Sequence, residues 1–257
     1  MRVELNLKLR PRTQIPIDYQ YPLSSVIYGL LGRSSQEYAD FLHEEGYTGK
    51  GRHLKPFTFS WFQIPGRRFQ IKDSLLEIRS DCVFWYISSP DDAFVQHLVT
   101  GLFQKMNLNV TGRTFITDTV RACPIPEFTE KMAFTCLSPI VVSTKMEKFG
   151  KLTKHFYRAD EPGFGEGIRK NLINKYKALY GVEPTDTHLK FQFNPDFIQR
   201  KGEQAYKLVR VKDTQIKAVM APFTVEGSVE LIRFGYEAGF GERGSQGFGM
   251  VEVDNWN

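Results

Sequence analysis

Five glycines fall within eleven residues of the segment AGFGERGSQGFGMVEV (238–253), and Gly239, Gly241 and Gly244 among them spell G-x-G-x-x-G. A dinucleotide-binding loop of that spacing needs a strand before the glycines and a helix after them, because the helix N-terminus holds the pyrophosphate. Here the order is reversed. Upstream, Val229, Leu231, Ile232, Tyr236 and Phe240 recur at helical spacing, whereas FGMVEVDNW downstream alternates as a strand does. A loop running from helix to strand excludes the dinucleotide reading. Two readings stay open. The bare backbone of Gly239, Gly241, Gly244 and Gly247, beside Arg243, Ser245 and Gln246, has the composition of a cradle for phosphates; alternatively the segment is a flexible connection with glycine caps.

A chain of 257 residues can bury one large core or two of ordinary size, and the patterning below favours two. With 41% hydrophobic and 25% charged residues the composition is that of a globular protein. No apolar run approaches membrane-spanning length, and MRVELNLKLR alternates like a strand instead of carrying a signal peptide's apolar block, so a cytoplasmic protein is expected. Cys82, Cys123 and Cys136 are odd in number and lack metal-ligand spacing, which predicts packing roles without disulfides, zinc or other cofactors. The formal net charge of +5 is unevenly placed. Residues 145–177 hold Lys145, Lys148, Lys151, Lys154, Arg158, Arg169, Lys170, Lys175 and Lys177 against four acids. Such a stripe suits a polyanionic partner, with Lys151, Lys154 and Arg158 as candidate contacts; a solvated helix rich in lysine is the plain alternative.

Periodicity organises the chain into two similar halves. In the first, a strand over 2–9 and helices over 23–31 and 35–44 precede strands near 55–63, 75–78 and 83–88, a helix over 91–105 and a strand around 109–113. The order is β-α-β-β-α-β with one extra helix, a ferredoxin-like arrangement. Pro124 and Pro126 break the pattern and place a boundary between residues 1–123 and 124–257. The second half reads as strands over 132–137 and 153–157, a helix over 160–180, strands over 188–194, 206–211 and 218–222, a helix over 226–237, the glycine loop and a last strand ending near 253. The predicted class is α+β, a tandem of ferredoxin-like domains whose sheets and cleft suit an extended single-stranded polymer better than a small cofactor.

Of five histidines, His97, His155 and His188 read as surface or cap residues, and none has metal-ligand spacing. His43 and His53 keep different company. Between 22 and 62, Gly32 ends a first helix, Ser34 or Ser35 caps a second, and Tyr28 lies at the edge of an apolar face formed by Leu23, Val26, Ile27, Leu30 and Leu31. His43 ends the second helix, and EEGYTGKGR leads from it to a strand bearing Lys55. A tyrosine, a histidine and a lysine so gathered can move protons at neutral pH and stabilise developing negative charge.

Taken together, the segments SSVIYGLL, YADFLHEEGY, LKPFTFSWF, FTCLSPIVV and GYEAGFGERGSQGFGMVEV resemble, in this order, the CRISPR repeat-RNA endoribonucleases of the Cas six family within the RAMP superfamily. The glycine-loop segment is the most specific element of the likeness. The resemblance implies tandem ferredoxin-like domains and metal-independent cleavage of CRISPR precursor RNA within its repeats. The ribose 2′-hydroxyl would be the nucleophile, leaving a 2′,3′-cyclic phosphate and a 5′-hydroxyl. It implies Tyr28, His43 and Lys55 as the catalytic set, the glycine loop as an RNA contact through Arg243, Ser245 and Gln246, and CRISPR effector proteins or a second copy of the chain as partners. The connection EEGYTGKGRH is longer than in the simpler members and adds Lys50 and Arg52 as RNA contacts and His53 as an alternative proton carrier. A catalytically silent RNA-binding subunit of an effector complex is the competing expectation; it has no need of Tyr28, His43 and Lys55 together.

Overall fold

The computed structural model describes residues 1–49, 52–148 and 150–254. In β1 (Arg2–Lys8), Val3, Leu5 and Leu7 point into the core, and the strand takes the centre of a five-stranded sheet. The other elements of this unit are α1 (Gln20–Ser34), β2 (Thr58–Phe59), β3 (Cys82–Ser88), α2 (Asp92–Gln104), β4 (Asn107–Val110) and β5 (Arg113–Ala122). The sheet order is β2-β3-β1-β5-β4 with every neighbour antiparallel. In register, Leu5 faces Trp85 on one side and Val120 on the other. The two helices touch where Gly101 meets Leu30: a Cβ there would lie 1.8 Å from the Leu30 carbonyl oxygen, so only glycine permits the approach.

The second unit repeats the connection order with β6 (Lys131–Cys136), α3 (Gly163–Tyr180), β7 (Leu189–Phe193), β8 (Phe223–Gly227), α4 (Val229–Ala238) and β9 (Val251–Val253). Its sheet runs β7-β8-β6-β9, again antiparallel throughout. Phe134, Phe223 and Phe240 pack at its centre. Both sheets have the strand order of a ferredoxin-like unit, so the α+β tandem expected from the sequence is the architecture found. Two hairpins are inserted in the second unit, Ser143–Lys148 with Lys151–Phe156 and Tyr206–Val211 with Thr214–Val219. A small core of Val141, Val209, Val211, Ile216, Ala218 and Phe248 sits under the latter.

Several boundaries differ from the sequence expectation for identifiable reasons. The third strand of the second unit is Phe223–Gly227, where the reading put a strand over 218–222 and began a helix at 226. Phe223 and Val225 are buried while Thr224 and Glu226 are exposed, a strand alternation. The helix starts only after Ser228, whose hydroxyl accepts from the Leu231 N–H. The strand expected over 55–63 contracts to Thr58–Phe59, because Pro56 has no N–H and the Trp61 N–H turns away to the Leu137 carbonyl of the second unit. Residues 109–113 straddle a hairpin turn at Thr111 and Gly112, both at positive φ. Leu75–Ile78 is a strand as expected, but it pairs with Thr13–Pro16 and Phe69–Lys72 in a separate three-stranded sheet.

Candidate active site

The site grows from one wall of the first unit. Leu23, Ile27, Leu30 and Leu31 bury the apolar face of α1, and Tyr28 sits half-buried at its flank with its ring edge-on to Phe57, centroids 6.0 Å apart. The Ser35 hydroxyl accepts from the Tyr38 N–H and caps a short helix, Gln36–Asp40. The helix expected over 35–44 does not run on as α. It widens into a π-helical turn, Phe41–Glu45, that buries Leu42 and turns His43 outward. Gly46 ends the turn at φ 59°, where a Cβ would come within 2.9 Å of the Leu54 carbonyl oxygen. The chain then folds back as the hairpin Tyr47–Gly49/Arg52–Leu54 and delivers Lys55.

Three side chains thereby meet. The Tyr28 and His43 rings stand edge to face with centroids 5.0 Å apart, and the Lys55 ammonium lies 5.3 Å from the Tyr28 ring centroid. Lys55 Nζ also donates to the His43 carbonyl, tying the lysine that follows the hairpin to the turn that carries the histidine. Burial pushes the Tyr28 phenol well above its ordinary value, so the hydroxyl keeps its proton at neutral pH. The same cause pushes the Lys55 ammonium below its ordinary value. His53 is exposed on the hairpin, pairs across it with Thr48, and its Nδ1 is hydrogen-bonded to the Glu45 carbonyl. Lys50 lies outside the described residues, as do the side chains of Arg52 and Lys151. Among the described residues no three of His, Cys, Asp and Glu are gathered as metal ligands.

The glycine loop lies against this wall from the second unit. Gly239, Gly241, Gly244 and Gly247 are all buried, and added Cβ atoms would come within 2.8 Å of Thr58, 2.6 Å of the Val141 carbonyl, 2.5 Å of the Phe57 carbonyl and 2.7 Å of the Phe59 ring. Gly239, Gly244 and Gly247 thus serve close packing between the units, and Gly241 close packing within the second, as well as turning the chain. Several backbone donors are already engaged: the N–H groups of Phe240, Glu242, Gln246, Gly247 and Gly249 donate to Gly249, Val141, Arg243, Gly244 and Pro139. Arg243, Ser245 and Gln246 remain half-buried, with Arg243 Nη1 donating to Gln246 Oε1 at 2.8 Å. The Ser24 hydroxyl, one turn of α1 from Tyr28, donates to the Ser245 carbonyl at 2.7 Å.

Lys175 does not belong to the surface stripe in which the sequence placed it. It is 4% exposed, and its ammonium donates to the carbonyls of Gly241 at 2.7 Å, Gly239 at 2.9 Å and Ala238 at 3.4 Å, clamping the end of α4 and the start of the loop. Burial pushes it down to about 7, opposed by the Glu242 carboxylate. The signal was available: Phe164, Ile168, Leu172 and Lys175 all fall on the buried stripe of α3. Other members of the stripe are ion-paired, Arg158 with Glu203, Arg169 and Lys170 with Glu166, Lys177 with Glu183 and Lys154 with Glu242. Lys145 is exposed and directly opposite Lys154 on the hairpin, so two lysines face each other there, with the Glu242 carboxylate beside Lys154. Between the hairpin beside Lys55 and α3 opens a cleft of about 400 Å³, lined by Leu54, Ser143, Tyr157, Lys170, Asn171, Asn174 and Glu242 among others.

Both halves of the chain match known proteins. The family model described as CRISPR-associated protein Cas6, N-terminal, matches residues 14–121, and that described as CRISPR associated protein Cas6, C-terminal, matches residues 123–253. The CRISPR-associated endoribonuclease Cas6 1 of Methanocaldococcus jannaschii is 33% identical over 98% of this chain and 92% of its own length. Among solved structures, a Cas6-related protein from Pyrococcus furiosus superposes with a TM-score of 0.85 at 28% identity, covering 100% of this chain and 99% of that one. A RAMP protein described as binding different RNA substrates superposes with a TM-score of 0.83 at 27% identity, covering 99% and 100%. With both halves matched in order along nearly the whole chain, the protein belongs to the Cas6 family of CRISPR-associated proteins.

Proposed function

We infer that this protein is a metal-independent endoribonuclease that cuts CRISPR precursor RNA within its repeats, with Tyr28, His43 and Lys55 as its catalytic groups. The observation that carries the reading is their convergence, the Tyr28 and His43 rings 5.0 Å apart with Lys55 beside both. In the reaction, the 2′-hydroxyl loses its proton and its oxygen forms a bond to the adjacent phosphorus. The P–O5′ bond breaks, and the departing oxygen gains a proton. The products are a 2′,3′-cyclic phosphate and a 5′-hydroxyl. His43, outward-facing and within reach of RNA, carries a proton between the two oxygens. Tyr28, held protonated by its burial, donates a hydrogen bond at the phosphate, and Lys55 stabilises the added charge of the five-coordinate phosphorus. General acid–base groups of this kind each contribute about 10²- to 10⁴-fold in rate. His53 is the weaker candidate because its Nδ1 is engaged by Glu45.

RNA enters through the cleft between the units, passing the Lys145–Lys154 hairpin and the half-buried Arg243, Ser245 and Gln246. In this reading residues 1–123 form the catalytic domain and residues 124–257 the domain that supplies the glycine loop. The enzyme works in the cytoplasm, and CRISPR effector proteins or a second copy are its protein partners. No helix among the described residues is long and apolar enough to cross a membrane. The test is incubation with repeat RNA in EDTA, comparing all-ribose RNA with RNA carrying a deoxyribose at the cut. Cleavage of the first alone, with cyclic-phosphate ends, supports the proposal. Tight binding without cleavage makes the protein an RNA-holding subunit, and cleavage that EDTA abolishes removes metal independence.

A further inference from the structure

Residues 35–49 reach the site from α1 with few backbone ties to the main sheet, yet His43 must be held to a fraction of an ångström to act. What holds the segment is the turn between β3 and α2. Asp91 caps α2 through Oδ1, which accepts from the Ala93 N–H at 3.0 Å. Its other oxygen, Oδ2, accepts two tyrosine hydroxyls, Tyr38 at 2.7 Å and Tyr47 at 2.6 Å. These two tyrosines flank the π-helical turn that carries His43, one before it and one after it. Each also packs against Phe41 at the start of the turn, with centroids 6.3 Å and 5.5 Å away, and Tyr38 stacks on His97 at 4.7 Å. Burial and the Asp91 carboxylate push both phenols above their ordinary value, consistent with hydroxyls fixed as donors.

The same turn holds the other arm of the site. The Ser89 hydroxyl accepts from the Asp91 N–H at 3.0 Å and donates at 2.7 Å to the carbonyl of Pro56, the residue after Lys55. Phe57 then stacks on Phe94 of α2 at 4.6 Å and meets Tyr28 edge-on. Three residues, Ser89 to Asp91, therefore bracket both the histidine-bearing turn and the lysine-bearing connection against the first turn of one helix.

We propose that Asp91 is a positioning residue for cleavage, fixing His43 through the paired hydroxyls of Tyr38 and Tyr47, with Ser89 fixing Lys55 through Pro56. The inference rests on the proposed catalytic role of His43. The division of labour between the two carboxylate oxygens supplies a clean test. Asp91→Asn keeps an oxygen for the helix cap and replaces the shared acceptor by a donor, while Tyr38→Phe/Tyr47→Phe removes both hydroxyls without touching the cap.

The experiment measures single-turnover cleavage of repeat RNA at saturating enzyme, with the RNA dissociation constant, for wild type, both variants and His43→Ala alone and combined with each. Misplacing a reacting group by about 1 Å costs on the order of 10²-fold, so both variants should lose about 10- to 100-fold in rate with affinity within about twofold. Combined with His43→Ala, neither should cause any further loss. Equal losses with and without His43, or full activity in both variants, overturn the proposal. A second readout does not need activity. In protein labelled at histidine, the His43 imidazole resonance should shift or broaden in both variants while that of His188 stays in place. If wild type binds RNA without cutting it, the proposed function falls and this resonance alone decides. A moved His43 signal keeps Asp91 as its anchor; an unmoved one removes that role as well.

Discussion

Lys175 makes the pH dependence of this protein's stability calculable. The perturbation is Lys175→Met, which keeps a long apolar stem in the helix interface and deletes the ammonium that holds Ala238, Gly239 and Gly241. In the folded protein the group titrates near 7, from an ordinary 10.5, because burial penalises its charge. Between those values the unfolded chain binds one proton more than the folded one, so stability rises with pH across that window. The slope is about 1.4 kcal/mol per pH unit. From about pH 6 to about pH 9 wild type should therefore gain roughly 3 kcal/mol relative to the methionine variant, whose other titrations cancel in the difference. Below the folded value both states are protonated and the contribution is flat. A neutral amine still donates two hydrogen bonds, enough for Gly239 and Gly241, so the clamp survives deprotonation. Urea unfolding of both proteins at several pH values gives the difference directly. A wild-type minus variant difference that does not change with pH, or that falls as pH rises, refutes the reasoning.

Gly244→Ala drives a methyl group to 2.5 Å from the Phe57 carbonyl, so we expect a loss of about 1–3 kcal/mol in thermal unfolding together with slower cleavage, since Lys55 is two residues away. Lys145→Glu/Lys154→Glu reverses the paired charges on the hairpin and should weaken RNA binding at low salt; if each lysine meets one phosphate of a single strand, the slope of log K against log salt falls by about 1.4, measured by filter binding. Tyr28→Phe keeps the edge contacts with His43 and Phe57 but removes the phenolic donor, and should cut the single-turnover rate by about 10²-fold with little change in affinity.

The two ferredoxin-like units were legible because their helices carry continuous apolar stripes and their long strands alternate cleanly. The failures have local causes. Phe223–Gly227 follows directly on an inserted hairpin and runs into a helix, so TVEGSVELI satisfies both periodicities until Ser228 is recognised as the cap. β2 is a two-residue strand because Pro56 before it has no N–H and the Trp61 N–H after it serves Leu137, a partner far off in sequence. Tyr28, His43 and Lys55 could be singled out because they lie within one stretch of chain and match a family pattern. Asp91 could not, since its tyrosines are 53 and 44 residues away and a single aspartate before a helix reads as nothing more than a cap. The glycine loop was recognised as a feature, but the Phe57, Phe59 and Thr58 surfaces that require its glycines belong to the other unit.

The most direct test of the account is the single-turnover cleavage rate of repeat RNA by His43→Ala set beside His53→Ala, in EDTA. Loss of about 10²- to 10⁴-fold in the first, with the second near wild type and both binding RNA normally, is the result the geometry predicts. An unimpaired His43→Ala enzyme would contradict it, because the convergence of Tyr28, His43 and Lys55 would then have no part in the chemistry.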